Sequence, residues 1–147
     1  MAQYKKQQQD IRFEKHLTLT NNIEEVPQLA AFVDEVCETA GLDMSTTTNM
    51  NIALEEAVVN VMSYAYPAGS VGEVQIDALL GDKELCFVIR DKGKPFDPTA
   101  QDETDTTLSL EERPIGGLGI YLVRQLMDSI NYERIDGQNV LTLRKKL

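Results

Sequence analysis

Residues 108–128 read LSLEERPIGGLGIYLVRQLMD, with three glycines in the four positions 116–119 directly ahead of a helical pattern. Glycine costs roughly 1 kcal/mol against alanine inside a helix, so a cluster at a helix start needs a reason. Two readings fit the residues. Either the chain turns sharply there, or the helix N-terminus is stripped of side chains so that an anion can reach its free N–H groups. Ile120, Val123, Leu126 or Met127, and Ile130 give the segment that follows an inward apolar face. A P-loop is excluded, because Leu118-Gly119-Ile120 stand where lysine and Ser/Thr would be required. A Rossmann fingerprint needs a strand immediately before the glycines, and residues 98–114 read as loop.

Working outward, residues 92–115 are polar, carry Pro95, Pro98 and Pro114, and show no period. A loop of that length inside a compact domain is uncommon and usually functional. Before it, EVQIDALL (73–80) and ELCFVIRD (84–91) alternate or run apolar and are joined by GDK, a hairpin signal. Further upstream, IRFEKHLTLT (11–20) alternates through Ile11, Phe13, Leu17 and Leu19 and reads as a strand. Between these strands lie two helical patterns. The first carries Ile23, Val26, Ala30, Val33 and Cys37, with Asn22 as N-cap, Pro27 in its first turns and Gly41 as C-cap. The second carries Met50, Ala53, Leu54, Ala57, Val58, Val61 and Met62, with Ser45 and Thr46 offering caps and Pro67 and Gly69 ending it. After the glycine-led helix, INYERI (130–135), a turn at Asp136-Gly137, and VLTLRKKL (140–147) form a last hairpin. Because strands and helices do not alternate strictly, the fold class expected is α+β. It is a two-layer sandwich with a mixed, largely antiparallel sheet and helices packed on one face. Residues 1–10 form a polar leader and residues 11–147 a single domain.

Composition fits that size. Of the 147 residues 42% are hydrophobic, enough for one sizeable core. The net charge is −10, which opposes a duplex or an anionic membrane and suits a protein partner with a basic face. No run approaches a membrane span, and the N-terminus lacks the apolar segment of a signal peptide, so a cytoplasmic chain is expected. Cys37 and Cys86 lie in apolar settings without CxxC spacing or companion histidines, and read as buried free thiols. His16 is the only histidine and falls at a strand surface position.

Three polar features interrupt the core pattern. Glu56 and Asn60 are one turn apart on the second helix, beside Ala53, Ala57 and Val61, with Glu55 next to them. Their oxygens are hard ligands suited to Mg²⁺ or a water beside it; the plainer reading has both glutamates in solvent. Asp91 leaves an apolar strand and is followed by Gly93, placed to accept from a ligand amine or simply to start a turn. The glycines of residues 116–119 are the third.

Taken together, E-x-x-x-N on a helix, D-x-G after a strand and G-x-G opening a later helix resemble the ATP-binding fold shared by gyrase, the large heat-shock chaperone, sensor histidine kinases and MutL. More narrowly, NIALEEAVVNVMSYAYP, DKGKPFDP and RPIGGLGIYLVRQLMD resemble the anti-sigma-factor serine/threonine protein kinase branch, over roughly residues 10–145. The resemblance implies Glu56 as general base and Asn60 as Mg²⁺ ligand. It implies that Asp91 accepts from the adenine amino group, with Gly93 giving the base room. Gly116, Gly117, Leu118, Gly119 and Ile120 would receive the phosphates, and residues from about 98 to 115 would form a lid. Arg113, at the lid's end, is a candidate contact for the γ-phosphate or the protein substrate. Two departures from the wider superfamily stand out: Pro95-Phe96 replace the second glycine of D-x-G-x-G, and Ile115 replaces the first of G-x-G-x-G. Ser63-Tyr64 receive no role.

The function this implies is an anti-sigma regulatory factor, an ATP- and Mg²⁺-dependent kinase that phosphorylates an antagonist protein and sequesters a sigma factor by partner switching. A homodimer is also implied. The competing reading is a sequestering module, with or without nucleotide, that has no kinase activity; a pure binder has no need of a base at Glu56. A gyrase-type ATPase fits poorly with so short a chain. A histidine autokinase fits poorly too, since no helical segment presents a phospho-acceptor histidine.

Overall fold

The computed structural model of the chain describes residues 11–100 and 117–147. The leader, Gly116, Arg113 and nearly all of the expected lid therefore lie outside the described residues.

The element order is β1 (Phe13–Thr20), a 3₁₀ turn (Ile23–Glu25), α1 (Val26–Ala40), α2 (Met44–Tyr64), β2 (Glu73–Leu80) and β3 (Glu84–Asp91). A 3₁₀ turn (Pro98–Ala100), α3 (Gly117–Leu126), β4 (Ser129–Ile135) and β5 (Gln138–Lys146) follow. The strands form one sheet in the order β1-β2-β3-β5-β4, antiparallel at every pairing. The two hairpins expected from GDK and Asp136-Gly137 are both present. Asp136 and Gly137 have φ of 51° and 79°, which is the left-handed pair a two-residue turn of this hand demands.

Local chemistry explains the helix ends. Asn22 Oδ1 accepts from Glu24 N at 3.0 Å, so it caps the short 3₁₀ turn that leads into α1. Pro27 sits in the first turn of α1, where a missing N–H costs nothing. Gly41, at φ 72°, closes α1 by donating to the Cys37 and Glu38 carbonyls. The cap of α2 is Asp43, whose side chain accepts from Thr46 N at 2.7 Å; Ser45 and Thr46, the caps expected, lie inside the first turn.

Helix α2 is the middle helix of its layer, packed on α1 on one side and α3 on the other, with the sheet beneath. That position explains why its buried residues, from Met50 and Ala53 to Val61 and Met62, spread around the cylinder rather than along one stripe. Leu85, Phe87 and Ile89 of β3 point into this core, and Phe87 is fully buried. Truncating such a phenylalanine typically costs about 3–5 kcal/mol. The alternate β3 residues Cys86 and Val88 join Leu79 and Val140 in a smaller apolar cluster. By the two-residue strand period that cluster lies on the sheet face away from the helices. Both cysteines are buried and neither forms a disulfide. On the same far face Asp77 bonds His16 Nδ1 at 2.7 Å and pairs with Arg90, so His16 is a surface strand residue.

Candidate nucleotide site

The site is built on α2, which carries Glu56 and Asn60 in its middle and delivers the backbone of Ala65 at its end. Asn60 is only 5% exposed, so its carboxamide is enclosed rather than solvated. The first turn of α3 lies against these two residues. A Cβ built on Gly119 would sit 2.5 Å from Glu56 Oε2 and 3.4 Å from Asn60 Nδ2. The structure thus brings together the E-x-x-x-N pair and the G-x-G helix start, more than fifty residues apart in sequence. Gly117 opens α3, and Ile120 turns inward to the core as expected. Gly119 acquires a reason that pattern alone did not supply: its missing side chain is the space into which the Glu56 carboxylate fits.

Near the C-terminal end of α2, Asp91 closes β3 and is 3% exposed. Its Oδ1 accepts from Gly93 N and from Asn139 Nδ2, both at 2.9 Å, while Oδ2 is buried with no partner. Burial pushes the Asp91 carboxyl above its ordinary range, opposed by the bonds from Asn139 and Gly93 and by the charge of Arg134. An orphaned carboxylate oxygen in a native interior is expensive unless something donates to it, which makes Oδ2 the clearest sign of a ligand position among the described residues. Gly93 also meets a packing need. A Cβ there would lie 2.3 Å from the Ala65 carbonyl oxygen, and that same carbonyl accepts from Lys94 N at 2.8 Å. Its first requirement is therefore close backbone approach between the end of α2 and the D-x-G turn.

The departure at Pro95-Phe96 has a physical counterpart. Phe96 N donates to Asn139 Oδ1 at 3.2 Å, and the Phe96 ring meets the Tyr64 ring at 5.4 Å between centroids. Tyr64, four residues after Asn60, holds the other buried side-chain polar atom without a partner among the described residues, its hydroxyl. Beyond, Asp97 Oδ1 accepts from Thr99 N at 2.8 Å, and Arg124 of α3 donates to the Thr99 carbonyl at 2.7 Å, tying the loop's described end to the helix. Sequence reasoning missed Asn139, Tyr132 and Ala65. Asn139 was findable in principle, since it shares a strand face with Leu141 and Leu143, where a polar residue is out of place.

The donor set fits a nucleotide with a divalent ion. Among the described residues no three His, Cys, Asp or Glu side chains gather as a metal cage. Mg²⁺ is commonly held by one or two protein oxygens together with substrate phosphates, which is what Asn60 beside Glu56 could offer. No helix among the described residues is long and apolar enough to cross a membrane.

Comparison with known proteins identifies the family. The family model described as "Histidine kinase-like ATPase domain" matches residues 19–145. The serine-protein kinase RsbW of Bacillus cereus is 30% identical over 135 residues, 88% of this chain and 84% of that protein. The serine/threonine-protein kinase BtrW of Bordetella bronchiseptica is 31% identical over 94 residues, 64% of this chain and 66% of that protein. Among solved structures, the RsbU and RsbW domains of Rv1364c from Mycobacterium tuberculosis align with a TM-score of 0.66 at 19% identity, covering 92% of this chain and 32% of that one. The last is a likeness of fold, and the chain spans about a third of that protein's length. The chain belongs to the histidine kinase-like ATPase domain family, in the branch that contains the RsbW serine-protein kinases.

Proposed function

We propose that this chain is an anti-sigma regulatory factor that uses Mg-ATP to phosphorylate a serine or threonine of an antagonist protein, and that holds a sigma factor when it is not engaged with that antagonist. The observation that carries the reading is the meeting of Glu56, Asn60 and Gly119 at the start of α3, together with the unpartnered Asp91 oxygen. A pure sequestering module needs no carboxylate at that point.

In this reading Asp91 Oδ2 accepts the adenine amino group. The N–H groups of the α3 start, from Gly117 through Leu118 to Gly119, receive the phosphates, aided by the helix dipole. Asn60 would hold Mg²⁺, which when bound would supply charge neutralisation for the phosphates. Glu56 takes the proton of the substrate hydroxyl as its oxygen bonds the γ-phosphorus, and the bond from that phosphorus to the departing ADP oxygen breaks. Gly116 and Arg113 remain candidates for phosphate or partner contact. The chain's −10 charge suits a sigma factor that presents a basic surface, so that complex should weaken steeply with salt.

The test is transfer of labelled γ-phosphate from ATP to a candidate antagonist by wild type and Glu56→Gln. Loss of transfer by about 10²–10⁴-fold with ATP binding retained supports the base assignment. Loss of ATP binding along with transfer would count against a purely catalytic role. No transfer by the wild type would favour the sequestering module.

A further inference from the structure

We infer that Asn139 is the positioning residue that sets the base selectivity of the site by fixing the plane of the Asp91 carboxylate, so that one of its oxygens stays unpartnered toward the nucleotide; this rests on Asp91 being the adenine-reading group. Asn139 lies directly across from Asp91 in the β3–β5 register and is 3% exposed. Its carboxamide uses its full capacity. Nδ2 donates to Asp91 Oδ1 at 2.9 Å and to the Lys94 carbonyl at 2.8 Å, and Oδ1 accepts from Phe96 N at 3.2 Å and from the Tyr132 hydroxyl. A carboxamide has two donor hydrogens and two acceptor lone pairs, so nothing remains for a ligand. Asn139 therefore acts through other groups.

The orientation of that amide is dictated by its partners. A Phe96 N–H can only donate and a Lys94 carbonyl can only accept, so the nitrogen end must face Asp91. Asp91 Oδ1 then receives two donors, from Asn139 and from Gly93 N, and the carboxylate cannot rotate without losing both. Oδ2 is left as a bare acceptor. A bare acceptor welcomes an exocyclic amine, as on adenine, and repels a carbonyl at the same position, as on guanine. The same four bonds tie the β3 exit, the Pro95-Phe96 turn and β4 to one point. The purely structural alternative is that Asn139 only stitches these segments together.

The two separate by titrating ATP and purine riboside triphosphate, which lacks the exocyclic amine, into wild type, Asn139→Leu and Tyr132→Phe, with folding checked by circular dichroism. The wild type is expected to prefer ATP by about tenfold or more, the effect of a hydrogen bond to a charged acceptor. Asn139→Leu should lose most of that preference while binding purine riboside triphosphate within about twofold of wild type. Tyr132→Phe, which leaves the strand intact and removes one bond from Asn139, should lose about twofold to fivefold of the preference. A full ATP preference in Asn139→Leu, or in Tyr132→Phe where the leucine variant does not fold, overturns the inference. Equal weakening of both nucleotides overturns it as well, because that is the structural role. A wild type that binds the two nucleotides equally would instead overturn the reading of Asp91, and the inference with it.

Discussion

The space a side chain on Gly119 would occupy is filled by the Glu56 carboxylate, with 2.5 Å between the built Cβ position and Oε2. The contact is one of helix α3 against helix α2, yet the atom that must give way is the far end of a flexible side chain. Gly119→Ala should therefore keep the fold, with melting shifted by a few degrees at most, since alanine's helix preference offsets the crowding. It should cost phosphoryl transfer about 10²-fold by moving Glu56, because misplacement of about 1 Å is enough for that. Melting curves and transfer assays on the same preparation check both halves. An active Gly119→Ala would show that Glu56 need not stand where the structure has it.

Gly93 gives the opposite expectation. Its built Cβ meets the Ala65 carbonyl oxygen at 2.3 Å, and backbone cannot swing aside. Gly93→Ala should destabilise the fold by on the order of 3 kcal/mol, roughly 10 °C in melting temperature. Thermal unfolding of the pair Gly93→Ala and Gly119→Ala is a direct comparison, and equal stability of the two would contradict the geometry.

Asp91 makes a prediction about pH. Its folded pKa is raised above 3.8, with burial the largest cause. A raised folded pKa contributes stability that is fully present below the unfolded value and lost as pH rises through the folded one. Asp91→Asn carries the neutral form at every pH. It should match wild type in acid and be the more stable protein near neutrality, while binding ATP more weakly. Urea melts from about pH 4 to pH 8 check the sign. A variant less stable than wild type at neutral pH would mean that the Asn139 and Gly93 bonds outweigh burial.

Titration of Mg-ATP by calorimetry supplies the fourth. Wild type should bind, Glu56→Gln should bind within a few-fold of it, and Asn60→Ala should lose the dependence on Mg²⁺ rather than the adenine contact. Unchanged Mg²⁺ dependence in Asn60→Ala would remove it as the metal ligand.

Local signals carried much of the fold into the sequence. Gly41 ends α1 in the left-handed region, and Asp136-Gly137 turns the last hairpin, because each obeys a rule that needs only its immediate neighbours. The E-x-x-x-N, D-x-G and G-x-G motifs were legible too, as separate pieces. What sequence could not provide was the set of contacts among them. Asn139 reaches Asp91, Lys94 and Phe96, partners 48, 45 and 43 residues away. Those bonds exist only once β5 is registered against β3. The approach of Gly93 to the end of α2 is likewise a contact between segments distant in sequence. Asp43, Ser45 and Thr46 offer equally good capping chemistry within four residues, so only the structure decides for Asp43.

Helix α2 also works as a calliper. Glu56 and Ala65 are fixed on or at the end of one continuous helix, roughly 13 Å apart at about 1.5 Å per residue. That rigid length sets the separation between the two ends of the site. One residue inserted between them would lengthen the gap only slightly but turn one end by about 100° relative to the other. The segment from Glu56 to Ala65 should therefore tolerate changes of side chain far better than any change of count.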